Sequence, residues 1–287
     1  MKKSYANMML LFVSIIWGGG FIATSGALES LSPFYIMTIR FLGAALFPLL
    51  VCFKKLKTLE SNVIKHGILT GVFLFLAFAL QTFGLKYSSP SKNAFLTATN
   101  VVFVPYLLWI LMKRKPHKKE INASLLCIVG IALLTLKPGA LAFSLGDLLS
   151  LLCAVFFALH IIALERYSQH CDAITMTFLQ MITAGVISLI AALLFEQPPL
   201  QLSSSAFGNV CYLIFVSTLL AYLIQTYAQK FTSANSASLI LTMEAFFASI
   251  FSFILLGEKM SFLMMVGACC IFLSILYIEY RPKRKEK

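Results

Sequence analysis

Long apolar stretches separated by short polar breaks run the whole length of the chain. A helix that crosses a bilayer needs roughly 20 mostly apolar residues. Ten stretches meet that measure, at 7–27, 33–53, 66–86, 92–112, 121–137, 146–165, 173–195, 207–229, 235–256 and 261–280. The breaks carry the expected punctuation. Ser32-Pro33 reads as a helix N-cap with a first-turn proline. Lys137-Pro138-Gly139 stops the fifth stretch and Gln197-Pro198-Pro199 the seventh. The pattern predicts an all-α membrane protein of ten transmembrane helices.

Composition sharpens this. Of 287 residues, 60% are hydrophobic and 12% charged, with a mean hydropathy of +0.89. Soluble domains average about 45–50% apolar and about 25% charged, so this chain belongs in lipid. The net charge of +12 does not indicate nucleic acid, because the cations sit in clusters between apolar runs rather than in a basic stripe. With the N-terminus inside and alternating spans, 18 Lys and Arg fall on inner segments and 4 on outer ones. That bias predicts a multi-pass protein of the plasma membrane, a bacterial inner membrane, with both termini cytoplasmic. The run from Lys113 to Lys119 is read as an anchor to anionic lipid. Lys2 and Lys3 precede an uncleaved first helix rather than a signal peptide. The seven cysteines show no metal-ligand spacing, so no metal, disulfide framework or cofactor is expected.

The two halves resemble each other. An offset of 144 lays Gln81-Thr82-Phe83-Gly84-Leu85-Lys86-Tyr87-Ser88-Ser89 on Gln225-Thr226-Tyr227-Ala228-Gln229-Lys230-Phe231-Thr232-Ser233. An offset of 140 pairs Trp17 with Phe157, Gly20 with His160 and Arg40 with Gln180. Each repeat, 6–137 and 145–280, holds five spans. An odd number makes the second copy cross the membrane upside down, an arrangement typical of transporters.

Trp17-Gly18-Gly19-Gly20-Phe21, Ser32-Pro33 leading to Arg40-Phe41, and Gly257-Glu258-Lys259 resemble the EamA-type drug/metabolite transporter superfamily, and the resemblance spans nearly the whole chain as two EamA repeats. It implies secondary transport, often export, of amino acids or other small metabolites through a central cavity. Two positions depart from the pattern. Lys113-Arg114-Lys115 stands where the first repeat would carry Gly-Glu, and Glu244-Ala245 where the ninth helix would carry Glu-Pro.

Polar residues are few in membrane helices, so each is informative. Tyr222, Gln225, Thr226 and Gln229 share one helix face, as do Asn93, Thr97 and Asn100. Asn100 maps onto Glu244 by the 144 offset, and both lie near mid-span. The substrate cavity is therefore expected at the midplane, with Trp17, Gln81, Asn100, His160, Tyr222, Gln225 and Glu244 as its candidates; Ser14 and Phe21 are further first-helix candidates. Singly, Gln, Asn and Thr also serve as bonds between helices, and Trp17 and His160 as packing. A carboxylate in hydrocarbon is costly unless paired, hydrated or protonated, so Glu244 is the candidate for binding a cationic group or coupling to protons, against a helix-locking role. Arg40 is read as structural, near the outer end and able to snorkel or to bond helix-end carbonyls. Gly18, Gly19, Gly20, Gly67 and Gly71 allow close helix approach, and Pro105 is placed to bend the fourth helix. Glu258 and Lys259 are read as a loop pair or gate contact.

A membrane-embedded enzyme would need a nucleophile with a base, a metal cluster or paired carboxylates, and no such motif occurs. A channel would show charged rings or a filter loop. A lipid or headgroup flippase remains the alternative. The reading is a secondary transporter, an exporter of small organic metabolites such as amino acids, working by alternating access on a small-molecule substrate in the bilayer. Monomer and homodimer stay open.

Overall fold

A computed structural model describes residues 2–135, 144–199, 204–257 and 262–279. Their regular structure is all helix, with no strand among the described residues. The helices are α1 (Lys3–Ala27), α2 (Pro33–Leu56), α3 (Ser61–Lys86), α4 (Pro90–Ala98), α5 (Asn100–Met112), α6 (Lys118–Thr135), α7 (Leu145–Tyr167), α8 (Ala173–Phe195), α9 (Ser204–Cys211), α10 (Ala221–Ala228), α11 (Ala234–Leu241), α12 (Met243–Leu256) and α13 (Phe262–Glu279). A π-helical segment, Tyr212–Leu220, joins α9 to α10. Eight helices, counting α4–α5, the run Ala206–Ala228 and α11–α12 as one each, are long and apolar enough to cross a membrane. The remaining predicted stretches, 121–137 and 261–280, overlap α6 and α13, 18 residues each, which pack on one another.

The surface is that of a multi-pass membrane protein. Leu50, Leu193, Leu194 and Phe195 are about two-thirds or more exposed, whereas Arg40, His160, Gln180, Gln225 and Glu244 are buried. Water would impose the opposite distribution.

The caps explain where helices begin. The Ser89 hydroxyl accepts from the Lys92 N–H ahead of α4, and Ser233 serves α11 in the same way through Ser236. Ser144 and Asp147 form a reciprocal capping box on α7. Ser32 stands at the predicted N-cap position before Pro33, but its side chain makes no capping bond. The Glu196 carboxylate does so instead, accepting from Phe34 N–H at 3.0 Å and Tyr35 N–H at 3.1 Å. An anion at a helix N-terminus satisfies orphan donors and complements the dipole. The predicted stop at Lys137-Pro138-Gly139 lies outside the described residues.

Two stretches expected as single helices are broken. The ladder tightens at Thr99 between α4 and α5, and at Thr242 between α11 and α12. In each case the threonine hydroxyl donates to the carbonyl three residues back, Leu96 or Leu239, a local bond that competes with the helix and bends it. Pro105, the expected bend, stays inside α5. It leaves the Val101 carbonyl without its helical donor, and the Ser124 hydroxyl of α6 donates to that oxygen at 3.2 Å. The glycines act as close-approach points. A Cβ on Gly18 would lie 2.6 Å from Phe247 Cβ and 2.8 Å from the Ala248 nitrogen, and one on Gly67 2.4 Å from Leu179 Cβ.

Candidate functional site

The breaks at Thr99 and Thr242 set Asn100 and Glu244 at the start of the half-helices that follow. Both side chains face an internal cavity reached by α1, α2, α3, α4, α7, the π segment, α10 and α11 as well. Discontinuous helices around a midplane pocket are a transporter device.

The cavity carries one cation among the described residues. Arg40 is buried and lines it. Its Nε donates to Thr218 Oγ1 at 3.0 Å and its Nη2 to Ser217 Oγ at 3.4 Å. The guanidinium carbon lies 4.3 Å from the centre of the Phe78 ring, a cation–π contact that holds the charge without neutralising it. Snorkelling, the expectation for Arg40, is not what the fold does with it. The π segment is what presents these partners: its widened turn carries Ser217 and Thr218 towards α2, and Trp17 Nε1 donates to the Ser217 carbonyl at 3.0 Å. Turns of this kind recur at functional sites.

Other groups on the wall offer acceptors. Glu244 lines the cavity and takes no hydrogen bond or ion pair among the described residues. Asn100 donates through Nδ2 to the Thr97 carbonyl at 3.1 Å; its Oδ1, Gln225 Oε1 and the Tyr222 hydroxyl are buried without a partner among the described residues. Gln81 also lines the space and donates from Nε2 to Thr97 Oγ1 at 3.2 Å. Trp17 and Tyr222 lie ring to ring at 5.1 Å.

Six of the seven predicted residues, Trp17, Gln81, Asn100, Tyr222, Gln225 and Glu244, thus meet around one space. His160 does not line it. Its Nε2 is 2.8 Å from Gln180 Oε1, and Gln180 Nε2 donates to Thr226 Oγ1 at 3.0 Å. Because Gln180 gives its N–H to Thr226, its oxygen faces His160, whose Nε2 therefore carries the proton. The imidazole stands edge-on behind Tyr222 at 5.8 Å. Ser14 turns to the Leu11 carbonyl and Gln229 to that of Ile161, whereas Phe21 lines the cavity. Arg40, Thr24 and Ser217 are polar cavity groups that sequence reasoning misses. Arg40 carried a signal, being the one cation inside a span, but Ser217 carried none, since its facing depends on the π turn. Glu258 and Lys259 lie outside the described residues.

The cavity offers ≈ 40 Å³ to the centres of water molecules. About 10–15 Å³ on that measure holds one water, so the space as it stands admits only a few waters. The sequence model of the EamA-like transporter family matches residues 4–136 and again 144–280. The chain belongs to the EamA-like transporter family. Relatives of this EamA-family protein carry matching names. An "uncharacterized transporter" of Archaeoglobus fulgidus is 31% identical over 98% of this chain and 87% of its own. The "uncharacterized transporter YyaM" of Bacillus subtilis is 27% identical over 96% and 94%. A solved crystal structure superposes with a TM-score of 0.79 at 16% identity, covering 97% of both chains, and so shares the fold. The EamA-family chain is thus a membrane transporter. Among its described residues no group of three or more metal-ligating side chains occurs.

Proposed function

We propose that this transporter carries small zwitterions, amino acids above all, by alternating access, and that it works as an exporter. The observation that supports this is one cavity lined by a guanidinium, an unpaired carboxylate and unpartnered amide and phenol acceptors. Arg40 would hold the substrate carboxylate, since a guanidinium fork matches its geometry. Glu244, Asn100 and Gln225 would receive the ammonium. Burying a lone charge is costly, so a ligand that neutralises both groups is favoured over one that pairs with either alone. Between substrates, Glu244 would take a proton.

The frame we infer is ten transmembrane helices, with α6 and α13 completing two inverted five-helix halves, in the plasma membrane with both termini cytoplasmic. In support, the extensive pairings α2 with α8, α3 with α7, α1 with α12 and α6 with α13 each join one half of the chain to the other. The 18-to-4 cation bias fits this orientation. Proteoliposomes loaded with radiolabelled amino acids, the corresponding amines and the corresponding carboxylic acids test the function, with and without a proton gradient. Saturable flux of the zwitterion, and little of the other two, is expected. Equal flux of all three, or flux that never saturates, would overturn it.

A further inference from the structure

A vestibule of ≈ 850 Å³ opens on the face that carries the N-terminus, among Lys3, Arg114, Glu165 and Lys230. Gln229 forms part of its floor and is 1% exposed. The Gln229 Nε2 donates to the Ile161 carbonyl at 3.0 Å, and Ile161 lines the central cavity. A single side-chain hydrogen bond therefore joins the floor of the vestibule to the wall of the cavity. Around it Leu10, Val13, Val104, Leu108 and Ile240 form one apolar cluster with Ile161.

The rest of the Gln229 amide is unsatisfied. Its Oε1 is buried without a partner among the described residues, as is Gln225 Oε1 a turn away. Tyr222, Gln225 and Gln229 stand at i, i+3 and i+7, so three unpartnered acceptors form a row from the cavity towards the vestibule. The repeat relation adds a contrast. The 144 offset carries Gln229 to Leu85 and the 140 offset carries Ile161 to Phe21, and both counterparts line the cavity. One end of the pathway thus has Phe21 and Leu85 where the other has Ile161 and Gln229.

The geometry points to Gln229 as the latch of the gate on the N-terminal face, and as the last acceptor that a substrate ammonium meets on its way between cavity and vestibule. This rests on the carrier reading above. The latch is balanced by construction. Closing forms one hydrogen bond but strands one acceptor, and opening returns that acceptor to water. An apolar residue of the same bulk would seal the floor with nothing stranded, as Leu85 is placed to do at the other end.

Cysteine accessibility tests the latch without any transport substrate. Leu241→Cys puts a thiol on the cavity wall. The background keeps the buried Cys52, Cys127 and Cys153 and replaces Cys171, Cys211, Cys269 and Cys270 by serine. A membrane-impermeant alkylammonium methanethiosulfonate is applied to either face of sealed vesicles. Gln229→Ala is expected to label about tenfold faster from the N-terminal face, and Gln229→Leu about tenfold slower, the scale of one hydrogen bond or one stranded acceptor. Leu85→Ala is expected to raise labelling from the opposite face only. Wild-type rates in both Gln229 variants, or equal increases from both faces, would overturn the latch. If the labelling pattern holds while no zwitterion flux is found, the gate stands and the substrate assignment falls. If flux is saturable but labelling does not move, the latch alone falls.

Discussion

Arg40 and Glu244 reach one cavity from opposite halves of the chain, and no ion pair joins them. Each charge is held by uncharged neighbours or none: Arg40 by Thr218, Ser217 and the Phe78 ring, Glu244 by the cavity alone. Removing one partner of a buried charged contact costs about 2–5 kcal/mol in binding. Arg40→Gln should therefore raise the apparent KM for a zwitterion at least about 30-fold, while the corresponding amine is affected much less. Glu244→Gln should weaken the zwitterion and the amine alike, since both carry the ammonium, and should flatten the dependence of flux on a proton gradient. Flux assays of both variants against both substrates check the pairing. Equal losses for both substrates in the Arg40 variant would mean that Arg40 merely holds the fold.

The approach of α1 to α12 makes a sharper structural prediction. At Gly18 there is no room for a methyl group, and one of the atoms it would meet is the backbone nitrogen of Ala248, which cannot swing aside. Overpacking of this kind costs about 1–3 kcal/mol. Gly18→Ala should lower the unfolding midpoint in detergent and reduce transport, because α12 carries Glu244. At Gly208, where a Cβ meets nothing within 4 Å, the same substitution should leave both unchanged.

These cases show what the sequence makes legible. Lipid demands long apolar runs, so hydropathy finds the spans of an all-helical chain, and scarce polar side chains within them mark six cavity residues. Facing is harder. Arg40 reads as an end-of-helix cation because its depth is visible but its partners are not. Those partners, Ser217 and Thr218, lie in a π turn that shifts the register of the helix face. The bends at Thr99 and Thr242 come from one hydroxyl each, a change too small for any window of hydropathy. His160 reads as a cavity group because it sits at cavity depth, yet its bond to Gln180 holds it one layer behind Tyr222.

The start of α4 is tied to that of α7 by Lys92 and Asp147. Lys92 Nζ lies 2.8 Å from Asp147 Oδ2, with the lysine side chain 28% exposed and the aspartate 2%. The same carboxylate oxygen accepts the Ser144 N–H at 2.8 Å. Taking away one partner of a fully buried pair costs about 3–5 kcal/mol. The exposed flank of Lys92 places Lys92→Met below that range, at about 1–3 kcal/mol. Asp147→Ala loses the capping box as well and should cost more. A double-mutant cycle by thermal unfolding checks this, and additive single losses would mean that the two groups do not interact.

Asp172 shows how pH should reach the fold from outside the membrane. It caps α8: Oδ1 accepts the Thr175 N–H at 3.0 Å, Oδ2 accepts the Thr175 hydroxyl at 2.9 Å, and Lys55 Nζ is 3.2 Å from Oδ2. Partial burial works against the charged form, but the Thr175 bonds and the Lys55 ammonium outweigh it and hold the carboxyl below its ordinary value. A carboxylate with a depressed folded pKa stabilises the protein above its unfolded value, about 3.9, and loses that contribution as pH falls through the folded one. The Lys55 pair is 63% and 42% exposed, so salt screens it and the cap carries most of the effect. Asp172→Ala should cost about 1 kcal/mol at neutral pH, Lys55→Met little, and the deficit of the alanine variant should shrink as the medium is acidified below about pH 4. Thermal unfolding of both variants between neutral and acid pH checks this, and a deficit that stays constant over that range would show that the charge on Asp172 plays no part.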